Sequence, residues 1–200
     1  MIRFLSGKIA AYVVKHDEEA DYDVVAYGYE TLLHDVLTTA LMVIAAIPFG
    51  IFFQVAAALL AYHLLRNYCG GAHAKSSIVC TVTSIILLYG MPFLVVRTAL
   101  KLPIPLIAVL LAVNLLLLWR YAPADTEEMP IRREDVRRQL RIKSMLCAVL
   151  LFIAAVALWW VWPSVSASIA LSATVASLMT HPVVYFLYRC KKSVPELAAE

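Results

Sequence analysis

The chain has 200 residues, of which 62% are hydrophobic and only 16% charged, with a mean hydropathy of +0.81 and a net charge of +3. Ordinary globular chains carry about 45–50% apolar and about 25% charged residues. The apolar surface here exceeds what one soluble core of this size can bury, so a bilayer must solvate most of it. A soluble domain is excluded, no nucleic-acid partner is expected, and the class is an all-α integral membrane protein.

Residues 2–14 (IRFLSGKIAAYVV) are apolar with Arg3 and Lys8 interspersed, and suit a helix lying in the membrane interface. An acidic stretch, residues 17–23, and a mixed segment, 24–35, complete an N-terminal interfacial or cytoplasmic section over 1–35. The dispersed Arg3, Lys8 and Lys15 and the acidic stretch argue against a cleavable signal. Residues 36–65 are apolar, with Pro48 and Gly50 near their centre. A crossing helix needs about 20 residues, so a single kinked span and a hairpin of two short helices both fit.

After a loop at 66–77, four apolar segments are clearer: Ile78–Val96, Leu102–Trp119, Ser144–Trp162 and Val165–Tyr188. Breaks at Arg97–Lys101 and at Pro163-Ser164 make them two transmembrane hairpins, 78–119 and 144–188, for five or six crossings in a single domain over 1–200. Between the hairpins, 120–143 carries Arg120, Arg132, Arg133, Arg137, Arg138, Arg141 and Lys143, and the tail, 189–200, adds Arg189, Lys191 and Lys192. The positive-inside rule assigns both to the cytoplasm. Counting back two crossings assigns the 66–77 loop to the same side.

Several polar groups within the apolar segments read as packing devices. Ser168, Ser172 and Ala176 form a small-residue stripe that permits close helix approach and suits a dimer interface. Asn114 and Tyr89 are expected interhelical hydrogen-bond partners. His181-Pro182 predicts a kink with a hydrogen-bonded imidazole. Cys69, Cys80, Cys147 and Cys190 lack CxxC spacing and read as thiols rather than a disulfide framework.

The chemically loaded sequence is the run Arg66–Cys80, RNYCGGAHAKSSIVC. Ser76 or Ser77 can cap a helix beginning near Ile78, which puts Cys80 in its first turn. Exposed N–H groups and the positive dipole end favour a thiolate there. His73, in the preceding loop, can fold back as the base that a thiol nucleophile needs. Gly70-Gly71 permits unusual torsions and could let a peptide approach or aim an N–H at an oxyanion. Arg66 could bind a carboxylate.

Taken singly, each has a plainer reading. A lone cysteine in an apolar helix is usually a small buried hydrophobe, a loop histidine is usually surface, and Gly-Gly is usually a turn. The combination at a membrane boundary points to acyl transfer. Metal binding by Cys69, His73 and Cys80 with nearby His63 competes, but zinc sites show tighter paired spacing, so neither a metal nor a cofactor is expected. Cys69 is a rival nucleophile that precedes the glycines and has no helix start behind it.

Arg66, Gly71, His73-Ala74, Ser76-Ser77 and Cys80, followed by SIILL at 84–88, closely resemble the accessory gene regulator protein B family. A second block, Tyr121-Ala122-Pro123-Ala124 with Pro130 and a basic stretch after it, agrees, and the resemblance covers nearly the whole chain. It implies a cysteine endopeptidase of the bacterial cytoplasmic membrane that matures a quorum-sensing propeptide, with its active site toward the cytoplasmic face. His73 and Cys80 match the family's catalytic pair. Arg66 and Gly71 match positions needed for activity, Gly70 and Ser77 join them as supporting residues, and Arg132 and Arg133 are the nearest counterparts of basic residues that handle substrate. The implied product is a thiolactone or lactone peptide, released from an acyl thioester on Cys80. The implied partners are a short amphipathic propeptide, the bilayer and a second copy of the chain. A non-catalytic peptide permease or a membrane scaffold is the alternative; few ionisable groups lie inside the four clear helices, which weighs against a permease.

Overall fold

The computed structural model describes residues 2–16, 21–72, 77–126, 131 and 133–190. It divides into two compact units, residues 1–44 and 45–200. The first holds α1 (Ile2–His16) and most of α2 (Tyr22–Ala46). The apolar run expected from Val36 is the second half of α2, which already begins at Tyr22. Residues 24–35 contain no proline, and the helix runs through them without a break. It stops at a turn over residues 47–50, where Pro48 lacks an N–H and Gly50 takes a positive φ of 68°. Residues 36–65 are therefore divided between two helices that meet at this turn in sequence.

In the second unit, α3 (Phe52–Cys69) is followed by α4 (Ser77–Ser84), a π-helical segment (Ile85–Gly90) and α5 (Met91–Arg97), which run on as one rod. Pro92 explains the widened turn. In a regular α-helix its ring would strike the carbonyl four residues back, on Leu88, which lies inside the π segment. Then come α6 (Ile104–Tyr121), α7 (Glu134–Leu158), α8 (Pro163–Leu178) and α9 (Pro182–Leu187). Among the described residues, four stretches are long and apolar enough to cross a membrane: Tyr22–Ala46, Ile78–Arg97, Ile104–Tyr121 and Glu134–Leu158. The protein is a multi-pass, all-α membrane protein.

α7 shows the logic of such a helix. Ala148, Phe152 and Ala155 recur at helical spacing and are buried. Leu146, Leu150 and Ile153, at the same spacing on another face, are 57–58% exposed. A helix apolar on both faces must meet protein on one side and hydrocarbon on the other. α8 sits at the centre: eleven of its residues, from Val165 to Ser177, are buried, and it packs most heavily on α3 and also on α5, α6 and α7. Its alanines and serines allow this close approach. Ser168, Ser172 and Ala176 are thus consumed inside the chain rather than presented to a second copy.

Among the described residues, several polar groups of the apolar helices are paired. Asn114 donates from Nδ2 to Thr174 Oγ1 at 2.9 Å and accepts from Ser177 Oγ at 2.6 Å, tying α6 to α8. Tyr89 donates to Ala45 O at 3.2 Å. The apolar segment expected over 165–188 breaks outright: α8 ends at Leu178, and His181 caps α9, its Nδ1 accepting from Val183 N at 3.3 Å. The imidazole is hydrogen-bonded as expected, but at a helix start and not within a kinked span.

Candidate active site

The loop leaving α3 is built from its last turn outward. Arg66 donates from Nη1 to Tyr62 Oη at 2.9 Å, one turn back, with its guanidinium 5.5 Å from the Tyr62 ring centroid. From Nη2 it donates forward to Ala72 O at 2.9 Å. One planar fork therefore fixes the chain on both sides of the glycines, which an ammonium could not do with the same geometry. Gly70 N–H donates to Arg66 O at 2.9 Å and closes the helix.

Both glycines hold positive φ, 68° at Gly70 and 133° at Gly71. A Cβ on Gly70 would collide with the carbonyl oxygen of Ala124. On Gly71 it would lie 3.1 Å from Met179 O and 3.2 Å from Arg66 Nη1. The pair is required here by torsion and by a close backbone approach.

The chain that approaches is the Tyr121–Ala124 block. Gly71 N–H donates to Ala124 O at 2.8 Å, and Ala124 N–H donates to Cys69 O at 2.8 Å. Gly70 and Ala124 form an isolated parallel β-bridge, and Ala122–Pro123 is a cis peptide. Ala72 N–H donates to Met179 O, just past α8, at 3.0 Å. The amides of Gly70, Gly71 and Ala72 are therefore all engaged within the protein. The expectation that a Gly70 or Gly71 N–H meets an oxyanion is corrected by this pairing, and the guanidinium of Arg66 is held by the loop itself.

Residues 134–143, expected within a loop, are the first turns of α7. Arg137 and Arg141, one turn apart, both face the Tyr121–Ala124 block and its neighbour. Arg137 Nη1 pairs with Asp125 Oδ2 at 2.8 Å, and Arg141 Nε donates to Ala122 O at 2.8 Å. Tyr185 Oη in α9 donates to Asp125 O at 3.1 Å. Ala72, Ala124, Tyr185 and Cys190 close the apolar side of this clasp.

Cys80 is the fourth residue of α4, half-buried, in the first turn where the sequence expects it. Cys69 lies instead at the polar end of α3, fully buried, with Sγ directed at Gly70 O (3.3 Å) and Ala176 O (3.8 Å). Burial pushes its thiol up to about 12, against a smaller opposing pull from Arg66. Cys69 is thus a packed thiol and no rival nucleophile. None of the four cysteines is in a disulfide.

His73 and Arg132 lie outside the described residues. Ser77 opens α4, and its side chain is likewise outside the description. Arg133 pairs with Asp135 at 2.6 Å at the exposed start of α7, with side chains 76% and 53% accessible. Exposed pairs of this kind contribute about 0–1 kcal/mol. Sequence reasoning overlooked Asp125 and Tyr185 and gave Arg137 and Arg141 no part beyond positive charge. The available signal was an acid directly after Tyr121–Ala124, with two arginines four residues apart downstream.

Comparison with known proteins adds a lineage. The sequence model described as Accessory gene regulator B matches residues 6–181. The accessory gene regulator protein B of Staphylococcus carnosus is 30% identical over 158 residues, covering 76% of this chain and 81% of that protein. A putative AgrB-like protein of Listeria monocytogenes serotype 4a is 30% identical over 173 residues, covering 86% and 83%. AgrB-like protein 2 of Clostridium perfringens, also putative, is 27% identical over 164 residues, covering 76% and 75%. No solved structure matches the chain. With a family model matched over residues 6–181 and relatives 30% identical over more than two thirds of the chain, the chain belongs to the accessory gene regulator B family.

Proposed function

We propose that the protein is a membrane-embedded cysteine endopeptidase and peptide cyclase, with Cys80 as nucleophile and His73 as base. Family membership supports a role in the accessory gene regulator quorum-sensing system. The observation that carries the finer reading is the position of Cys80 in the first turn of α4, downstream of a loop immobilised as far as Ala72. A thiol at a helix start, with a histidine seven residues before it in sequence, supplies the nucleophile and the base that acyl transfer needs.

In the proposed reaction His73 takes the Cys80 proton, and the thiolate attacks a propeptide carbonyl. The C–N bond breaks, His73 returns the proton to the departing amine, and the C-terminal tail leaves. The signal portion stays as a thioester on Cys80. An internal cysteine of the peptide, giving up its own proton, attacks that thioester to close a thiolactone and free Cys80; a serine there would close a lactone. Exchange of one thioester for another is close to balanced in energy, so excluding water from the acyl-enzyme separates cyclisation from hydrolysis. A site at the lipid boundary suits that demand, and an amphipathic propeptide lying in the interface would reach it. The basic start of α7 supports a cytoplasmic orientation for this side under the positive-inside rule. A homodimer accords with the family resemblance, although the small-residue stripe no longer argues for it.

The test is reconstitution of the full chain in phospholipid vesicles with a candidate short amphipathic propeptide, following the released tail by mass spectrometry. Wild type is expected to release the tail and accumulate cyclic product, while Cys80→Ala and His73→Ala release none. Unimpaired cleavage by Cys80→Ala would remove Cys80 from the mechanism. Absence of cleavage by the wild type would favour a permease or scaffold.

A further inference from the structure

Outside the proposed catalytic pair, the densest polar cluster surrounds Asp125. Its side chain is 1% exposed, and Oδ2 accepts from Arg137 Nη1 at 2.8 Å and from Ile131 N–H at 3.3 Å. Arg137 Nη1 also reaches Ile131 O at 3.3 Å. The Asp125 main-chain oxygen accepts from Tyr185 Oη at 3.1 Å. The start of α7, the loop at residue 131 and α9 thus converge on one residue. That residue follows Ala124, whose own amide and carbonyl hold Cys69 and Gly71.

A buried ion pair contributes little net stability over apolar residues of the same volume, because desolvation offsets the Coulomb attraction. What it supplies is one geometry in place of several. Here that geometry passes from Arg137 to Asp125, to Ala124, to Gly71 and Ala72, and Ala72 is the residue before His73. Arg137 lies on the basic stretch that the family resemblance links to substrate handling, yet its guanidinium is turned inward and is largely buried.

We infer that Asp125, locked by Arg137 and Tyr185, is a positioning residue for the reaction at Cys80, setting where the chain leaves Ala72 toward His73. The inference rests on the His73–Cys80 reading. It assigns Arg137 to the clasp and not to the propeptide, and it makes the central basic region part of the catalytic loop's support.

The experiment alkylates the full chain in phospholipid vesicles with iodoacetamide and quantifies the Cys80 peptide by mass spectrometry, which needs no substrate. Tail release from the propeptide is measured alongside. Alkylation rate follows thiolate fraction, so His73→Ala sets the benchmark for an unassisted thiol. Asp125→Asn and Arg137→Gln are each expected to slow Cys80 alkylation toward that benchmark. Each should lower kcat by about tenfold with KM held within about twofold, as befits lost positioning. The double variant should be no worse than either single, since both disable one unit, and Asp125→Glu should recover most of the rate. Tyr185→Phe, which removes one hydroxyl and leaves the ion pair, is expected to slow alkylation about threefold. It decides the matter if the charge variants are not monodisperse.

Unchanged Cys80 alkylation in monodisperse Asp125→Asn, or in Tyr185→Phe where the charge variants are not monodisperse, overturns the inference. So does a rise in KM at constant kcat for Arg137→Gln. If His73→Ala itself leaves Cys80 alkylation unchanged, the catalytic-pair reading fails and the inference falls with it, a result distinct from failure at Asp125 alone.

Discussion

Gly70 and Ala124 meet as a parallel β-bridge that joins the two blocks carrying the family resemblance, so the Gly-Gly loop and the Tyr121–Ala124 block are two halves of one clasp. Gly70→Ala adds a methyl where Ala124 O already sits and imposes a positive φ on a residue with a side chain. The expected cost is about 1–3 kcal/mol of stability, from the backbone strain alone. Thermal unfolding in detergent should show the loss, together with abolished tail release. Gly71→Ala, whose added methyl meets Met179 and Arg66 at 3.1–3.2 Å, should be milder in stability and comparably inactive.

Arg66→Lys separates two roles for this cation. If Arg66 serves the loop, lysine loses the forked contact to Tyr62 and Ala72, and kcat should fall about ten- to a hundredfold with KM little changed. If it bound a substrate carboxylate, KM would rise instead. Steady-state kinetics with the propeptide distinguish the outcomes, and the hydrogen bonds favour the first.

Hydropathy and charge made the membrane class, the apolar segments over 78–96 and 102–119 and the helix start at Cys80 legible, because bilayer thickness and helix periodicity write themselves directly into residue order. The clasp was not legible in those terms. Gly70-Gly71 reads as flexibility until Ala124 O is seen where a Cβ would be. Asp125 reads as one acid among several until α7 brings Arg137 beside it. Both depend on contacts between residues far apart in the chain, which local pattern does not encode. The stripe at Ser168, Ser172 and Ala176 misled for the same reason: small residues signal close packing, but only the arrangement of α3, α6 and α7 shows which partner fills it.

Asn114→Ala probes the bundle apart from the site. Asn114 is fully buried and joins Thr174 and Ser177 of α8, so its truncation leaves the Ser177 hydroxyl with a lost acceptor and opens a small void. A loss of about 1–3 kcal/mol is expected from the orphaned polar partners. Thermal unfolding should report it, while the iodoacetamide reactivity of Cys80 in the folded protein stays at the wild-type rate. A changed Cys80 rate would mean that the α6–α8 contact also governs the catalytic loop.

Cys69 and Cys80 should behave oppositely toward alkylation although they flank the same loop. Burial holds the Cys69 thiol at about 12 against an ordinary 9.0, so at mildly alkaline pH it stays protonated and unlabelled, whereas half-buried Cys80 is labelled. Cys69→Ala should retain tail release, since the replacement remains small and apolar between Gly70 and Ala176. The pH dependence has a definite sign. The folded state holds the Cys69 proton more tightly than the unfolded chain does, so the thiol's contribution to stability is complete below pH 9 and is lost as pH rises from there toward 12. Unfolding measured against pH should therefore show wild type losing stability over that window faster than Cys69→Ala. A Cys69 that labels as readily as Cys80 in the folded protein would mean that the α3 terminus opens to solvent, and with it the clasp.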